Sequence, residues 1–288
     1  GDALTTGSKN IAIGYSALGS EDGHGNNVAI GHSALALQNA GAEAYNTAVG
    51  YEAGKLVSTG VRNTLIGGLA GDALTTGADN VAIGWAALST EDTGGRNTAI
   101  GKGALNLLDA GADGYNVAVG FNSGVAMTTG LGNTLVGGLA GDALTTGGYN
   151  TVLGTEDTGT RSVAIGASAL AAQNYDGNAY NTAVGYGVGT SITTSIETTL
   201  IGGLAGDAIT TGSNNVAIGY AALSTETEHG RNVAVGSYAL LLQNAGAHAY
   251  NTAVGHSAGI SVTTGVENTL IGGLAGDSLT TGNSNTAL

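Results

Sequence analysis

The stretch Asn80-Val81-Ala82-Ile83-Gly84-Trp85-Ala86-Ala87-Leu88-Ser89-Thr90-Glu91-Asp92-Thr93-Gly94-Gly95-Arg96 is one turn of a repeat, and residue 97 is Asn again. The same opening is an Asn, three small or β-branched apolar-type residues, then Gly. It recurs at Asn10, Asn27, Asn46, Asn63, Asn97, Asn116, Asn133, Asn150, Asn181, Asn215, Asn232, Asn251, Asn268 and, at the end of the chain, Asn285, with Ser162 and Thr198 in the same slot. The intervals run 17, 19, 17 and 17 residues and then repeat. A longer phrase, Gly-Asp-(Ala/Ser)-(Leu/Ile)-Thr-Thr-Gly, begins at Gly1, Gly71, Gly141, Gly206 and Gly276, at spacings of 70, 70, 65 and 70. Self-similarity at such periods is the signature of a solenoid, in which units too small to bury their own apolar residues stack on copies of themselves.

Each unit reads as a short strand, a tight turn, a second short strand and a polar loop. The triplets Val81-Ala82-Ile83 and Thr64-Leu65-Ile66 carry β-branched bias, and the glycines after them tolerate a turn that Cβ would strain. Ala87-Leu88 and Ala104-Leu105 supply the second apolar step. Helix is excluded by glycine every few residues, each costing about 1 kcal/mol in a helix interior. The expectation is an all-β fold, a β-solenoid of 17- or 19-residue coils at ~4.8 Å per coil. It forms a single repeat domain over residues 1–288 with superrepeats of four coils. The Asn slot (Asn27, Asn46, Asn63, Asn80, Asn97, Asn116, Asn133, Asn181, Asn215, Asn232, Asn251 and Asn268) is read as a structural ladder at a turn. The unit at 150–161 has only 12 residues and lacks the equivalent of Trp85 to Ser89, so a gap or weak point is expected there.

Composition narrows function. The 288 residues include 53 glycines and no proline, and glycine does not fall at every third position, so neither an ordinary aromatic core nor collagen fits. A net charge of −14 with seven Lys+Arg leaves no basic surface for nucleic acid and none for an acidic membrane. The absence of cysteine removes disulfides and thiolate metal sites. No apolar run approaches the ~18 residues of a membrane span. The chain begins without Met and both ends lie inside a repeat, so it is expected to be part of something longer.

The runs Asn46-Thr47-Ala48-Val49-Gly50-Tyr51-Glu52-Ala53-Gly54 and Asn27-Val28-Ala29-Ile30-Gly31-His32-Ser33-Ala34-Leu35 resemble two related repeat families. One is the left-handed β-roll head of trimeric autotransporter adhesins. The other is the tail-fibre repeat of phages and giant viruses, which is the closer match because the 17- and 19-residue coils exceed the adhesin unit. The resemblance covers nearly the whole chain. It implies a left-handed β-roll, a fibre or adhesin shaft on a virion or outside a cell, and a role in holding or making attachment to a host surface.

No catalytic, cofactor-binding or metal-binding residues are assigned. Glu21-Asp22, Glu91-Asp92, Glu156-Asp157 and Glu226 with Glu228 recur four coils apart, roughly 19 Å at strand spacing, and read as solvated loops. Asp72, Asp142, Asp207 and Asp277 read as turn caps. His24, His32, His229, His248 and His256 follow no metal-ligand spacing and read as surface residues. The slot after the strand glycine holds Tyr15, Tyr51, Trp85, Phe121, Tyr186 and Tyr220, and Tyr45, Tyr115, Tyr180 and Tyr250 form a second column. Exposed rings in rows offer flat apolar faces to sugars, or else cover the roll.

Three functions from different classes fit. The leading one is a structural, non-enzymatic shaft that partners with itself and with a host-surface glycan or protein. The second is a self-assembling extracellular filament or surface-layer component. The third is an ice-binding solenoid built on Thr-Thr pairs such as Thr75-Thr76 and Thr210-Thr211, which the acidic coils interrupt. A parallel homotrimer is expected from the strands: the middle residue of each triplet (Ala12, Ala29, Ala48, Leu65 and their equivalents through Leu270) is apolar. If the flanking residues fill the coil, this middle column becomes an outer stripe in need of cover.

Overall fold

A computed structural model describes the chain except residue 22, residues 155–160 and residue 176. It falls into two compact units, Gly1–Tyr149 and Asn150–Leu288. The division lies at the first residue of the shortened coil.

The first unit contains β1 (Ile11–Ile13), β2 (Val28–Ile30), β3 (Thr47–Val49), β4 (Thr64–Ile66), β5 (Val81–Ile83), β6 (Thr98–Ile100), β7 (Val117–Val119) and β8 (Thr134–Val136). The second contains β9 (Thr151–Leu153), β10 (Val163–Ile165), β11 (Thr182–Val184), β12 (Thr199–Ile201), β13 (Val216–Ile218), β14 (Val233–Val235), β15 (Thr252–Val254), β16 (Thr269–Ile271) and β17 (Thr286–Ala287). Within each unit, consecutive strands pair in parallel and in register, so that Val81 lies beside Thr98, Ala82 beside Ala99 and Ile83 beside Ile100. This is a parallel β-solenoid with one coil per repeat and, among the described residues, no helix.

Where one Asn slot follows another, the coil opens with a bond to the coil before it. The backbone N–H of Asn63 donates to Asn46 Oδ1 at 2.8 Å, that of Asn80 to Asn63 Oδ1 at 3.0 Å, and that of Asn97 to Asn80 Oδ1 at 2.9 Å. The same bond joins Asn232 to Asn215, Asn251 to Asn232 and Asn268 to Asn251. These side chains are buried, and their bonds run between coils rather than within their own turn. The glycine closing each strand is fixed by the same stacking: Gly84 has φ +136°, and a Cβ there would sit 2.5 Å from the carbonyl oxygen of Gly101 in the next coil.

Two expectations are corrected. First, among the described residues no second strand forms in the coil. Ala87-Leu88 and its equivalents make a turn in which Leu18, Leu35, Leu88 and Leu105 adopt φ near +50° (48°, 48°, 53° and 50°) and point inward, wholly buried. Their backbone still ladders, with Leu88 N donating to Ala104 O at 3.0 Å. Second, the middle residue of each strand faces in. Ala29, Ala48, Leu65, Ala82, Ala99 and Ala118 are fully buried, as are Ala183, Leu200, Ala217, Ala234 and Ala253. The supposed outer stripe is therefore the core, and the larger β-branched residues on either side face out.

The four-coil superrepeat follows from volume. Where the strand supplies Ala, the turn opposite supplies Leu in two coils of the four, as Ala82 faces Leu88. In the fourth coil the strand supplies Leu65, and its methyls occupy the space a side chain would need at two turns: a Cβ on Gly54 would lie 2.5 Å from Leu65 Cδ1, and one on Gly71 would lie 2.8 Å from Leu65 Cδ2. Leu135 with Gly124 and Gly141, Leu200 with Gly189 and Gly206, and Leu270 with Gly259 and Gly276 repeat the arrangement.

At the shortened coil, β9 pairs with β10, and Ser162 N donates to Asn150 Oδ1 at 3.1 Å, so both ladders continue there. The expected gap falls on residues 155–160, outside the described residues.

Leu65→Ala is expected to cost roughly 2–5 kcal/mol, because the neighbouring glycine turns cannot collapse into the space. Adding Gly71→Leu, which recreates the Ala/Leu pairing of the other coils, should recover part of the loss. Urea unfolding followed by circular dichroism reads both; equal stability of the single and double variants would contradict the volume account.

Candidate functional site

Because the middle residue points in, every coil presents its two flanking strand residues outward. In the first unit these are Ile11, Val28, Thr47, Thr64, Val81, Thr98, Val117 and Thr134 in one column, and Ile13, Ile30, Val49, Ile66, Ile83, Ile100, Val119 and Val136 in the next. Both columns are uncharged and entirely β-branched. The second unit continues the pattern, with Leu153 in place of a β-branched residue. The second of the two columns is more than a third exposed in the fourth coil of every superrepeat: Ile66 37%, Val136 39%, Ile201 39% and Ile271 43%.

The six aromatic residues of the predicted surface column, Tyr15, Tyr51, Trp85, Phe121, Tyr186 and Tyr220, are all exposed on this side, next to the strand glycines. Tyr15, His32 and Tyr51 stack, with ring centroids 5.2 and 5.4 Å apart and interplanar angles of 25° and 22°. Their faces are turned to one another, leaving edges toward solvent. Trp85 covers Gly68, where a Cβ would meet the indole at 2.7 Å. Lys102 lies 5.7 Å from the Phe121 ring centroid, and Tyr220 meets Tyr238 edge-on at 5.5 Å. In the second column, Arg96 lies over Tyr115 and Arg231 over Tyr250, at 5.3 and 5.5 Å.

The acidic loops are solvated in only one member of each described pair: Asp92 and Glu228 are exposed, and the glutamate before them is not. Glu21, Glu91 and Glu226 are fully buried, while Glu156 and Asp157 lie outside the described residues. Their position explains this: eleven residues past the slot residue, other coils carry Val57, Leu74, Leu108, Met127 and Ile192, all fully buried. Glu91 is held by backbone, with Gly94 N donating to Oε1 at 2.7 Å and Ala110 N to Oε2 at 3.1 Å. Glu226 Oε1 accepts from Thr227 N and His229 N, each at 3.1 Å. Burial pushes both carboxyls above the usual carboxylate range, and the backbone N–H bonds oppose it. Burial raises Asp72 and Asp207 likewise, whereas the Arg62 guanidinium, bonded to Asp79 at 2.6 and 2.8 Å, holds that carboxyl low.

The histidines also have defined places. His24 Nδ1 lies 3.6 Å from Glu21 Oε1, and His229 Nδ1 lies 3.5 Å from Glu226 Oε1. His32 and His256 pack in the aromatic column, and His248 Nδ1 accepts from Gly230 N at 3.3 Å. Glu91, Asp92 and Asp109 bring ligand-type oxygens within 4.8 Å of one another, a grouping the sequence reading missed because Asp109 belongs to the next coil. Both Glu91 oxygens there are already engaged by backbone. The loop threonines are used internally as well: Thr75 Oγ1 donates to Asp92 O at 3.0 Å, and Thr210 Oγ1 to Thr227 O at 3.1 Å.

No protein-family model matches the chain, and no curated protein matches it in sequence. Among the described residues, no helix is long and apolar enough to cross a membrane.

Raised carboxyl pKa values make the folded state bind protons more tightly than the unfolded chain. The cost of the buried charges is therefore present above the folded pKa and is relieved as pH falls toward the unfolded value, near 4.3 for Glu. The melting temperature should rise as pH is lowered from neutral toward mild acid, and Glu226→Gln should flatten that dependence. Thermal unfolding at a series of pH values checks this; an unchanged slope in the variant would contradict the assignment.

Proposed function

We propose that the chain is a structural shaft segment of the viral tail-fibre or surface-adhesin kind, acting outside the cell or on a virion. In this reading it has no enzymatic role, coils as a left-handed β-roll, and assembles as a parallel homotrimer that spaces an attachment element from its base and adds contacts to a host-surface glycan or protein. The observation that carries the proposal is the outward strand face, two uncharged β-branched columns repeated in coil after coil. Eight strands at ~4.8 Å make this patch on the order of 400 Å² in the first unit alone. Contiguous apolar patches of that size on a monomer are commonly functional. Identical chains in parallel register bring equal columns to equal heights, so the face is self-complementary about a shared axis. The buried acidic side chains support a structural role, since each has at least one oxygen bound to backbone N–H groups, both of them in Glu91.

Light scattering on the purified chain tests the assembly. A species near 83 kDa, three times 27.8 kDa, is expected, and the outward pair Ile66→Glu with Ile201→Glu should shift it toward 27.8 kDa while preserving the β spectrum. A folded 27.8 kDa species at micromolar concentration would overturn the trimer. An open series of larger species would favour filament growth instead.

A further inference from the structure

The 19-residue coils that begin at Asn27 and Asn232, each with the glutamate of the coil before it, share one set of buried polar atoms. Glu21 Oε2, Asn27 Nδ2 and Gln38 Nε2 are buried and without a hydrogen-bond partner, as are Glu226 Oε2, Asn232 Nδ2 and Gln243 Nε2; His24 Nδ1 and His229 Nδ1 are unpartnered too, but face Oε1 of the same glutamates at 3.6 and 3.5 Å. The residues that carry them are fully buried. A buried donor or acceptor left unpaired costs about 1–3 kcal/mol, so six of them in two equivalent places require an account.

The repeat brings each trio together. The side chain eleven residues past the slot reaches the Asn of the next coil: Gln38 Oε1 accepts from Asn46 Nδ2 at 2.7 Å, Gln243 Oε1 from Asn251 Nδ2 at 2.7 Å, and Met127 Sδ lies 3.3 Å from Asn133 Nδ2. The same column position directs Glu21 toward the slot of Asn27 and Glu226 toward that of Asn232. Gln38 stands in the same column as Glu21, one coil further along, as Gln243 does with Glu226. The amide orientations are fixed, because Gln38 Oε1 must face the Asn46 amide and Asn27 Oδ1 must accept from Asn46 N at 3.0 Å. Each Nδ2 and Nε2 is therefore the atom left over.

The coil length explains the spare donor. In 17-residue coils the Asn amide donates to a carbonyl fourteen residues on, as Asn46 does to Gly60 O at 2.8 Å and Asn63 to Gly77 O at 2.9 Å. In the longer coils residue fourteen on is Gly41 or Gly246, which sits in open space with nothing within 4 Å of a Cβ. The extra residues have carried the carbonyl away.

We propose that each of these two coils holds one structural water molecule, which accepts from the Asn27 and Gln38 amides and donates to Glu21 Oε2, with Asn232, Gln243 and Glu226 forming the second site. The donor set selects the ligand. Two N–H groups aimed inward oppose a cation, the carboxylate opposes an anion, and a neutral molecule able to accept twice and donate once meets all three. The second superrepeat is an internal contrast: Leu108 replaces the glutamine, Glu91 Oε2 takes Ala110 N, and Asn97 Nδ2 donates to Gly95 O at 3.2 Å, so no water is called for.

A high-resolution crystal structure of the full chain and of its Gln38→Leu variant tests this, Leu being the residue that the second superrepeat carries in the same slot. The expected result is a density peak at ~2.7–3.2 Å from Glu21 Oε2, Asn27 Nδ2 and Gln38 Nε2, another at the second site, and none beside Glu91. The variant should lose the first peak and keep the second, which also reports that the protein has folded. Direct contacts between the carboxylate and both amides with no intervening density, or a peak that refines as an ion, would overturn the proposal.

Discussion

Coils that stack at ~4.8 Å leave each inward side chain sandwiched between equivalent residues of the coils before and after it. That spacing is the constraint on which the rest depends. It makes glycine obligatory after the strand, where a Cβ at Gly84 would strike the Gly101 carbonyl, and it makes Leu65 possible only because Gly54 and Gly71 supply no side chains beside it. It also turns a single Asn into a ladder, since Oδ1 of one coil meets the backbone N–H of the next wherever successive slots hold Asn, as from Asn46 to Asn97. A core of alanine with one leucine layer or turn at a time is joined by backbone bonds repeated coil after coil.

The same constraint explains what the sequence showed and what it concealed. The coil boundaries were legible because Asn and Gly have no substitutes at those backbone positions, apart from Ser162 and Thr198 in the Asn slot. The facing of the strand was not. In Val81-Ala82-Ile83 all three residues are apolar, and the larger ones were natural candidates for the core. The interior has room for only Ala there because Leu88 fills it from the opposite turn, a residue that the sequence placed in a second strand and that in fact adopts a left-handed turn conformation. The shortened coil was visible as a missing segment, but residues 155–160 lie outside the described residues.

Buried charge was the other blind spot. Glu21-Asp22 and Glu91-Asp92 sit among polar loop residues and read as solvated, although aligning the coils by their slot residue puts Glu21, Glu91 and Glu226 in a column with Leu74, Met127 and Ile192. Local composition and column position disagree at these residues, and position decides. The aromatic column shows the reverse: the residues are exposed as their sequence suggested, yet Tyr15, His32 and Tyr51 spend their ring faces on one another. The outward strand face carries two uncharged columns, which is why the proposed self-association is placed there.

The assignment of faces is tested most directly by placing one charge on either side of a single strand. Ala82→Asp puts a carboxylate inside the coil, where burying it unpaired is prohibitive, and Ile83→Asp puts one on the outer face. Circular dichroism of the two variants, compared with the parent chain, should show the β spectrum lost or melting far earlier in Ala82→Asp and retained in Ile83→Asp, whatever the effect on assembly. A folded Ala82→Asp beside an unfolded Ile83→Asp would mean that the strand is turned the other way and would contradict the account.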